Sequence, residues 1–264
     1  VHPVPLDAAL LPSPSGRGAA GEGVAPSAGR GTWGEGVAHI GARDPRVTWL
    51  VQFLTDHPDD KVLLITSQKA DVFALQEVLP TLTTVPFAAF HENLTMTTRD
   101  KNAAWFAQPG GARLLICSEI GSEGRNFQFA KHLVLFDLPR DPGVLEQRIG
   151  RLDRIGRRGD VHVHIPYLRR TAHEVLFRWY HEGFDAFRNS LLGADAYLEL
   201  LGDDLDRACA GLIPDAVDGL IEKTRSTAAH VRESLERGRD RLLELNGRRT
   251  EQAREMIRAI EAAE

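Results

Sequence analysis

Gln147-Arg148-Ile149-Gly150-Arg151-Leu152-Asp153-Arg154-Ile155-Gly156-Arg157, followed by Arg158, puts five arginines into one short stretch of a 264-residue chain. If the chain from Gly143 to about Leu152 is helical, Gln147, Gly150, Arg151 and Arg154 stand three and four residues apart and share one face, with Arg148 displaced from it. Guanidinium groups stay charged and grip phosphate through paired hydrogen bonds. One that stabilises a phosphoryl-transfer transition state can be worth roughly 10³ to 10⁵ in rate. Taken alone, such a run is more often a solvated basic helix; what flanks it argues for a site.

Upstream, Arg113-Leu114-Leu115-Ile116-Cys117-Ser118 reads as a strand. A polar, glycine-bearing loop follows, Glu119-Ile120-Gly121-Ser122-Glu123-Gly124-Arg125-Asn126, and then a second strand, Leu133-Val134-Leu135-Phe136-Asp137. Short apolar runs between helical patterns imply a parallel sheet, whose ligands gather in the crevice at the carboxyl ends of the strands. The loop and the arginine helix therefore belong on one rim. Further strands are expected at Lys61 to Thr66, Phe87 to Phe90 and Val161 to Ile165. Helices are expected from Asp44-Pro45 (N-cap and first helical residue), over Ser67 to Leu79, and from Thr95 to about Ala107. About five strands with helices between them make the fold class α/β.

Three of these segments together resemble a known family. Gln147 to Arg154, as Gln-x-x-Gly-Arg-x-x-Arg, is similar to motif VI of superfamily 2 helicases, and Arg154-Ile155-Gly156 to the Arg-Ile-Gly of Swi/Snf-type ATPases. Ser118 to Asn126 resembles motif V and Val62 to Gln68 motif IV, in the same order along the chain. The longer runs, Cys117 to Phe129 and Phe136 to Gly156, with Arg178 to Gly183 after them, are similar to the bacterial RNA polymerase-associated branch of that family. The likeness covers about Asp44 to Leu245.

The resemblance implies a RecA-like parallel sheet flanked by helices, the second lobe of a two-lobed motor that clamps ATP between its lobes. It further implies that Arg151 and Arg154 reach the γ phosphate as catalytic arginines, and that Gly124, Asn126 and Gln147 meet or frame the nucleotide. Thr66, Ser67, Gln68, Ser118 and Glu119 would touch a nucleic-acid backbone through hydroxyls and amides; for Ser67, capping the next helix is an alternative. The chain departs from the family at Arg157, where relatives often have Gln, and at Asp153, where they often have His. No Gly-x-x-x-x-Gly-Lys-Ser/Thr pattern occurs in the sequence, so ATP and Mg²⁺ are expected to be engaged only beside a Walker A lobe, in cis or in trans. DNA or another nucleic-acid backbone, and RNA polymerase, are the implied partners. A non-catalytic module binding polymerase or DNA is the alternative.

Composition narrows the rest. Forty-two per cent hydrophobic residues and no apolar run near span length point to a soluble protein. No secretory pattern is seen, and the expected location is cytoplasmic, with no membrane contact. A net charge of −5 is compatible with a local anion site but not with a uniformly basic surface. Cys117 and Cys209 read as structural thiols. His162 and His164 alternate with valines and so share one strand face; lacking a third ligand nearby, they read as surface histidines, and no metal site is expected. Trp179, Phe184 and Phe187 read as core. Residues 1–43 read as a disordered low-complexity tail: Gly16-Arg17-Gly18 with Gly21-Glu22-Gly23-Val24 recurs thirteen residues later as Gly29-Arg30-Gly31 with Gly34-Glu35-Gly36-Val37. The helicase-type lobe is placed at 44–190 and a helical extension at 191–264. There Val217, Ile221, Thr224, Ala228, Val231, Leu235, Gly238, Leu242 and Leu245 form a heptad seam, and Asn246-Gly247 is a helix stop before Met256, Ile257 and Ile260. The reading is a helical hairpin, or helices that pad the core.

Overall fold

In the computed structural model, residues 1–7, 40–119, 127–153, 160–191, 194–234 and 237 are described. They build a six-stranded sheet of β1 (His2–Leu6), β2 (Val62–Thr66), β3 (Phe87–Phe90), β4 (Leu114–Ser118), β5 (His132–Leu135) and β6 (His162–Leu168). The order is β1-β6-β5-β2-β4-β3, with every pairing parallel. The helices are α1 (Pro45–Asp56), α2 (Lys69–Leu82), α3 (Met96–Ala107), α4 (Pro142–Ile149), α5 (Ala172–Arg178), continued by a π-helical turn at Trp179–Phe184, and α6 (Ala194–Gly211). Residues 214–234 form α7.

Strand periodicity splits the core in two. Along β2, Val62 and Leu64 face one side with Leu114, Ile116, Val134 and Phe136, under α1 and α2. Leu63 and Ile65 face the other side, where they pack with Leu115, Cys117, Leu133, Leu135 and the apolar stripes of α5, α6 and α7. Both faces are covered, which is why the strands read as unbroken apolar runs. The helix starts follow local chemistry. Asp44 accepts from the Arg46 amide with Pro45 behind it, Thr95 accepts from the Thr98 amide, and Asp141 accepts from the Gly143 amide with Pro142 behind it.

The five expected strands are all present. The sixth, β1, is a correction: it lies within the segment read as tail. His-Pro-Val-Pro-Leu is tolerated as a strand because it sits at the sheet edge, where prolines that cannot donate to a ladder do least harm. The glycine-rich repeat between residues 16 and 37 lies outside the described residues.

The heptad seam also meets the sheet's own core. Val217, Leu220, Ile221 and Thr224 are buried, and Trp179 Nε1 donates to Thr224 Oγ1 at 2.9 Å. Gly183 permits the approach, since a Cβ there would stand 3.0 Å from Thr224 Cγ2. The first half of the seam thus pads the lobe, and the seam beyond residue 234 lies outside the described residues. Trp179 and Phe184 are buried as expected and Phe187 packs partly buried against the same cluster. Cys117 and Cys209 are buried free thiols; burial pushes Cys117 up strongly and Cys209 up to about 12. No helix among the described residues is long and apolar enough to cross a membrane.

Candidate functional site

Strands β5, β2 and β4 are neighbours at the centre of the sheet, so Asp137, Thr66 to Ser67 and Ser118 to Glu119 leave their carboxyl ends side by side. Into this rim α4 inserts Arg148, whose side chain is 1% exposed. Its Nη1 donates to Asp137 Oδ1 at 2.9 Å and to the Asp137 carbonyl at 2.8 Å. Its Nε donates to Glu119 Oε2 at 2.9 Å, and Nη2 donates to Ser67 Oγ at 2.7 Å and, in a short contact, to Glu119. Asp137 also accepts from the Ser67 amide at 2.8 Å, from Ser67 Oγ at 2.9 Å and from Thr66 Oγ1 at 3.0 Å. Burial alone would raise the Asp137 carboxyl, but the Arg148 charge and the Ser67 hydrogen bonds overcome it, and its pKa is lowered. One guanidinium therefore ties together the ends of three strands, as a buried charge must be tied if it is to remain charged.

A second buried pair stands beside it. Arg46 Nη2 donates to Asp44 Oδ2 at 2.7 Å, Nη1 donates to the Phe136 carbonyl at 3.4 Å, and Cζ lies 4.5 Å from the Phe136 ring centroid. Thr66 Oγ1 lies 2.7 Å from Asp71, whose carboxyl burial raises.

Motif VI departs from the expected helix. α4 stops at Ile149, Gly150 closes it by donating to the Glu146 carbonyl at 2.8 Å, and Arg151 and Leu152 form a turn. Gly150 keeps right-handed backbone angles (φ −63°, ψ −7°) there, and the low helix propensity of glycine weakens continuation beyond it. Gln147, Gly150 and Arg151 consequently do not share a continuous helical face, and Gln147 is exposed. Arg148, the residue set aside in the sequence, is the buried one. Its signal was present, because Leu145, Arg148 and Leu152 recur at three and four along a stripe that is otherwise apolar.

Arg151 is different. It is 9% exposed, and its Nε is buried without a hydrogen-bond partner among the described residues. Its carbonyl accepts from the Phe127 amide at 3.2 Å, which fixes the backbone at the end of the segment holding motif V. Among the other expected site residues, Ser118 donates to Glu92 at 2.8 Å, and Thr66, Ser67 and Glu119 are committed to the rim network. Gln68 is exposed at the start of α2 and makes no side-chain cap; Ser67 turns to Asp137 and Arg148 rather than capping that helix. Gly124, Asn126 and Arg154 lie outside the described residues. Among the described residues no group of three or more His, Cys, Asp or Glu side chains is placed to hold a metal ion.

Residues 45–156 match the helicase conserved C-terminal domain. That match and the RecA-like parallel sheet are consistent with the C-terminal lobe of a superfamily 2, Swi/Snf-type ATPase, as motifs IV to VI suggest. Residues 160–264 match the C-terminal region of the RNA polymerase recycling family, so this part of the chain is similar to RapA. Among solved structures, the C-terminal part of the Fun30 ATPase domain is similar at 16% identity and TM-score 0.47, over 71% of this chain and 55% of that one. The Sulfolobus solfataricus SWI2/SNF2 ATPase core, solved in complex with dsDNA, is similar at 19% identity and TM-score 0.49, over 66% and 37%. The C-terminal domain of the DEAD-box protein Dbp5 is similar at 20% identity and TM-score 0.46, over 53% and 79%. The chain thus spans 55% and 37% of the length of the first two.

Proposed function

We propose that this chain is the second lobe of an ATP-dependent nucleic-acid translocase that acts on transcription complexes, and that it supplies Arg151 and Arg154 to ATP held by a Walker A lobe. The observation that carries this reading is the contrast within motif VI. Arg148 has every nitrogen paired, whereas Arg151, three residues on and at the same rim, keeps a buried Nε without a partner. A desolvated guanidinium nitrogen without a partner among the described residues is unfavourable in the isolated lobe and fits a phosphate oxygen arriving from outside. When ATP is bound between the lobes, such a guanidinium supplies charge stabilisation to phosphoryl transfer. The phosphate-cradling and Mg²⁺-binding groups belong to the other lobe in this reading. Gln147 and Gln68, both exposed, remain open to nucleotide and nucleic acid respectively, and the two family matches support DNA and RNA polymerase as partners.

The test is ATP turnover with DNA present, by the chain alone and mixed with or fused to a Walker A lobe from a related motor. The expected result is background turnover alone, turnover in the combined protein, and loss of about 10³-fold or more of it in Arg151→Ala with the fold intact. Turnover by the chain alone would overturn the assignment of the nucleotide site. No turnover in the fused protein would favour a non-catalytic polymerase- or DNA-binding module.

A further inference from the structure

At the amino edge of the sheet, far from the rim, five histidines from four segments meet. His132 opens β5, His162 and His164 lie on β6, His2 opens β1, and His57 ends α1. His132 Nε2 lies 3.0 Å from Asp60 Oδ2, and His132 Nδ1 lies 3.0 Å from His164 Nε2. His2 is stacked on His164 with ring centroids 4.9 Å apart, and its Nε2 lies 3.3 Å from His162 Nδ1. Phe53, 4.5 Å from the His164 ring, and Trp49 close the cluster from α1. His132 and His164 are 4% and 7% exposed, which corrects the reading of His164 as a surface residue.

Hydrogen bonding fixes how many protons this chain of rings can hold. The Asp60 carboxylate accepts from His132 Nε2–H, so in neutral His132 the Nδ1 must accept and His164 Nε2–H must donate. If both rings carried two protons, two N–H groups would face each other at 3.0 Å. Among the described residues Asp60 is the carboxylate that acts on His132, and none acts on His164 directly; Asp60 is shared with Lys131 at 3.2 Å. The other titratable groups that act on His164 are the rings of His132, His2, His162 and His57, each of which disfavours its charge, and Arg113 donates to the carbonyls of Leu54 and His57 nearby.

We propose that this cluster is an acid-opened latch: with neutral imidazoles it holds edge strand β1 on β6, and protonation of His164 releases β1 while the rest of the sheet stays paired. β1 is suited to release. It pairs on one side only, since among the described residues no strand covers its outer edge, towards which Pro3 and Pro5 turn, and its first side chain is the ring stacked on His164. The titration has the required sign. Burial first, then the neighbouring histidines, lowers His164 from an ordinary 6.5 to about 3, and burial likewise lowers His132. A lowered histidine stabilises the closed strand fully above pH 6.5, and that contribution is lost progressively as pH falls towards 3.

Backbone exchange in the full chain tests the latch directly. The Arg169 amide donates to the Leu6 carbonyl at 2.9 Å and reports β1, whereas the Phe136 amide donates to the Ile65 carbonyl at 3.0 Å and reports the centre of the sheet. After correction for intrinsic exchange, the opening constant at Arg169 is expected to rise about tenfold per pH unit below pH 6, one proton being taken up per opening, while Phe136 stays protected. His164→Gln keeps a donor for His132 without a titratable ring and should flatten the slope. A flat Arg169 profile in the native chain, an unchanged slope in His164→Gln, or Arg169 and Phe136 opening in step would each overturn the latch. Should the variant not fold, ring NMR of the native chain decides: His164 must stay neutral at pH 5 to 6 in the closed strand, and titration near 6.5 there overturns the proposal.

Discussion

The two ends of strand β5 bury polar groups by opposite means. At its amino end His132 leads a cluster of rings with a single carboxylate among them. At its carboxyl end Asp137 sits in a network where Arg148, Glu119, Ser67 and Thr66 complete every charge with a partner. Burial penalises charge at both ends. Burial disfavours the charged forms of His132 and His164, whereas the carboxylate and guanidinium stay charged because each supplies what the other needs. The first solution depends on pH near neutrality; the second is rigid and indifferent to it. That suits a rim that must hold motifs IV, V and VI in fixed relation.

The sharpest way to break this comparison is Arg148→Ala. It leaves Asp137 and Glu119 charged at the rim without their partner, and it should cost about 3–5 kcal/mol in urea unfolding. Arg151→Ala, at nearly the same burial, should cost less than about 1 kcal/mol or stabilise, since it removes a desolvated nitrogen that has no partner. Equal losses from the two would mean that Arg151 is held by the lobe itself, which would remove the main support for its role towards ATP.

Acid should separate the two ends in order. Asp137 is lowered below its ordinary 3.8. A lowered carboxylate stabilises above the unfolded value, and its contribution is lost as pH falls through the folded one, so what Asp137 contributes to the rim should be lost only below its ordinary 3.8. The amino edge should loosen from pH 6.5 downward. Near-UV or NMR probes at Phe136 and at His164, followed together from pH 7 to 3, check this; loss of the rim first would invert the comparison.

How far the sequence discloses these two ends differs for a physical reason. Strands buried on both faces announce themselves as continuous apolar runs, and caps such as Asp44-Pro45 are written within a few residues, so the sheet and most helix starts are legible. Motif VI points to the rim as well. Its division of labour does not show, because whether Arg148 or Arg151 turns inward depends on where Gly150 ends α4 and on carboxylates 11 and 29 residues away. The histidine cluster is less legible still. His2, His57, His132 and His164 become neighbours only through the strand order β1-β6-β5, and a strand with two prolines carries almost no local signal.

Between the ends of the scale stands a neutral buried pair. Thr224 Oγ1 accepts from Trp179 Nε1 at 2.9 Å and donates to the Leu220 carbonyl at 2.7 Å, with both residues fully buried. Thr224→Val keeps the shape and removes the acceptor, and should cost about 1–3 kcal/mol for the indole N–H left unsatisfied. A smaller loss would show that α7 shifts enough to admit water.

The smallest effect is expected at the amino edge. Lys131 pairs with Asp60 at 3.2 Å, but its side chain is 53% exposed. Burial acts to raise the Asp60 carboxyl, yet its bonds to His132 and Lys131 leave it lowered, so part of that stabilisation survives without the lysine. Lys131→Ala should therefore change stability by no more than about 0.5 kcal/mol, and the difference should shrink further in high salt. A loss well above 1 kcal/mol, insensitive to salt, would mean that Asp60 relies on its cation as Asp137 relies on Arg148. The two ends of β5 would then share one means of burying charge, and the neutrality of the imidazoles would no longer be what sets the amino edge apart.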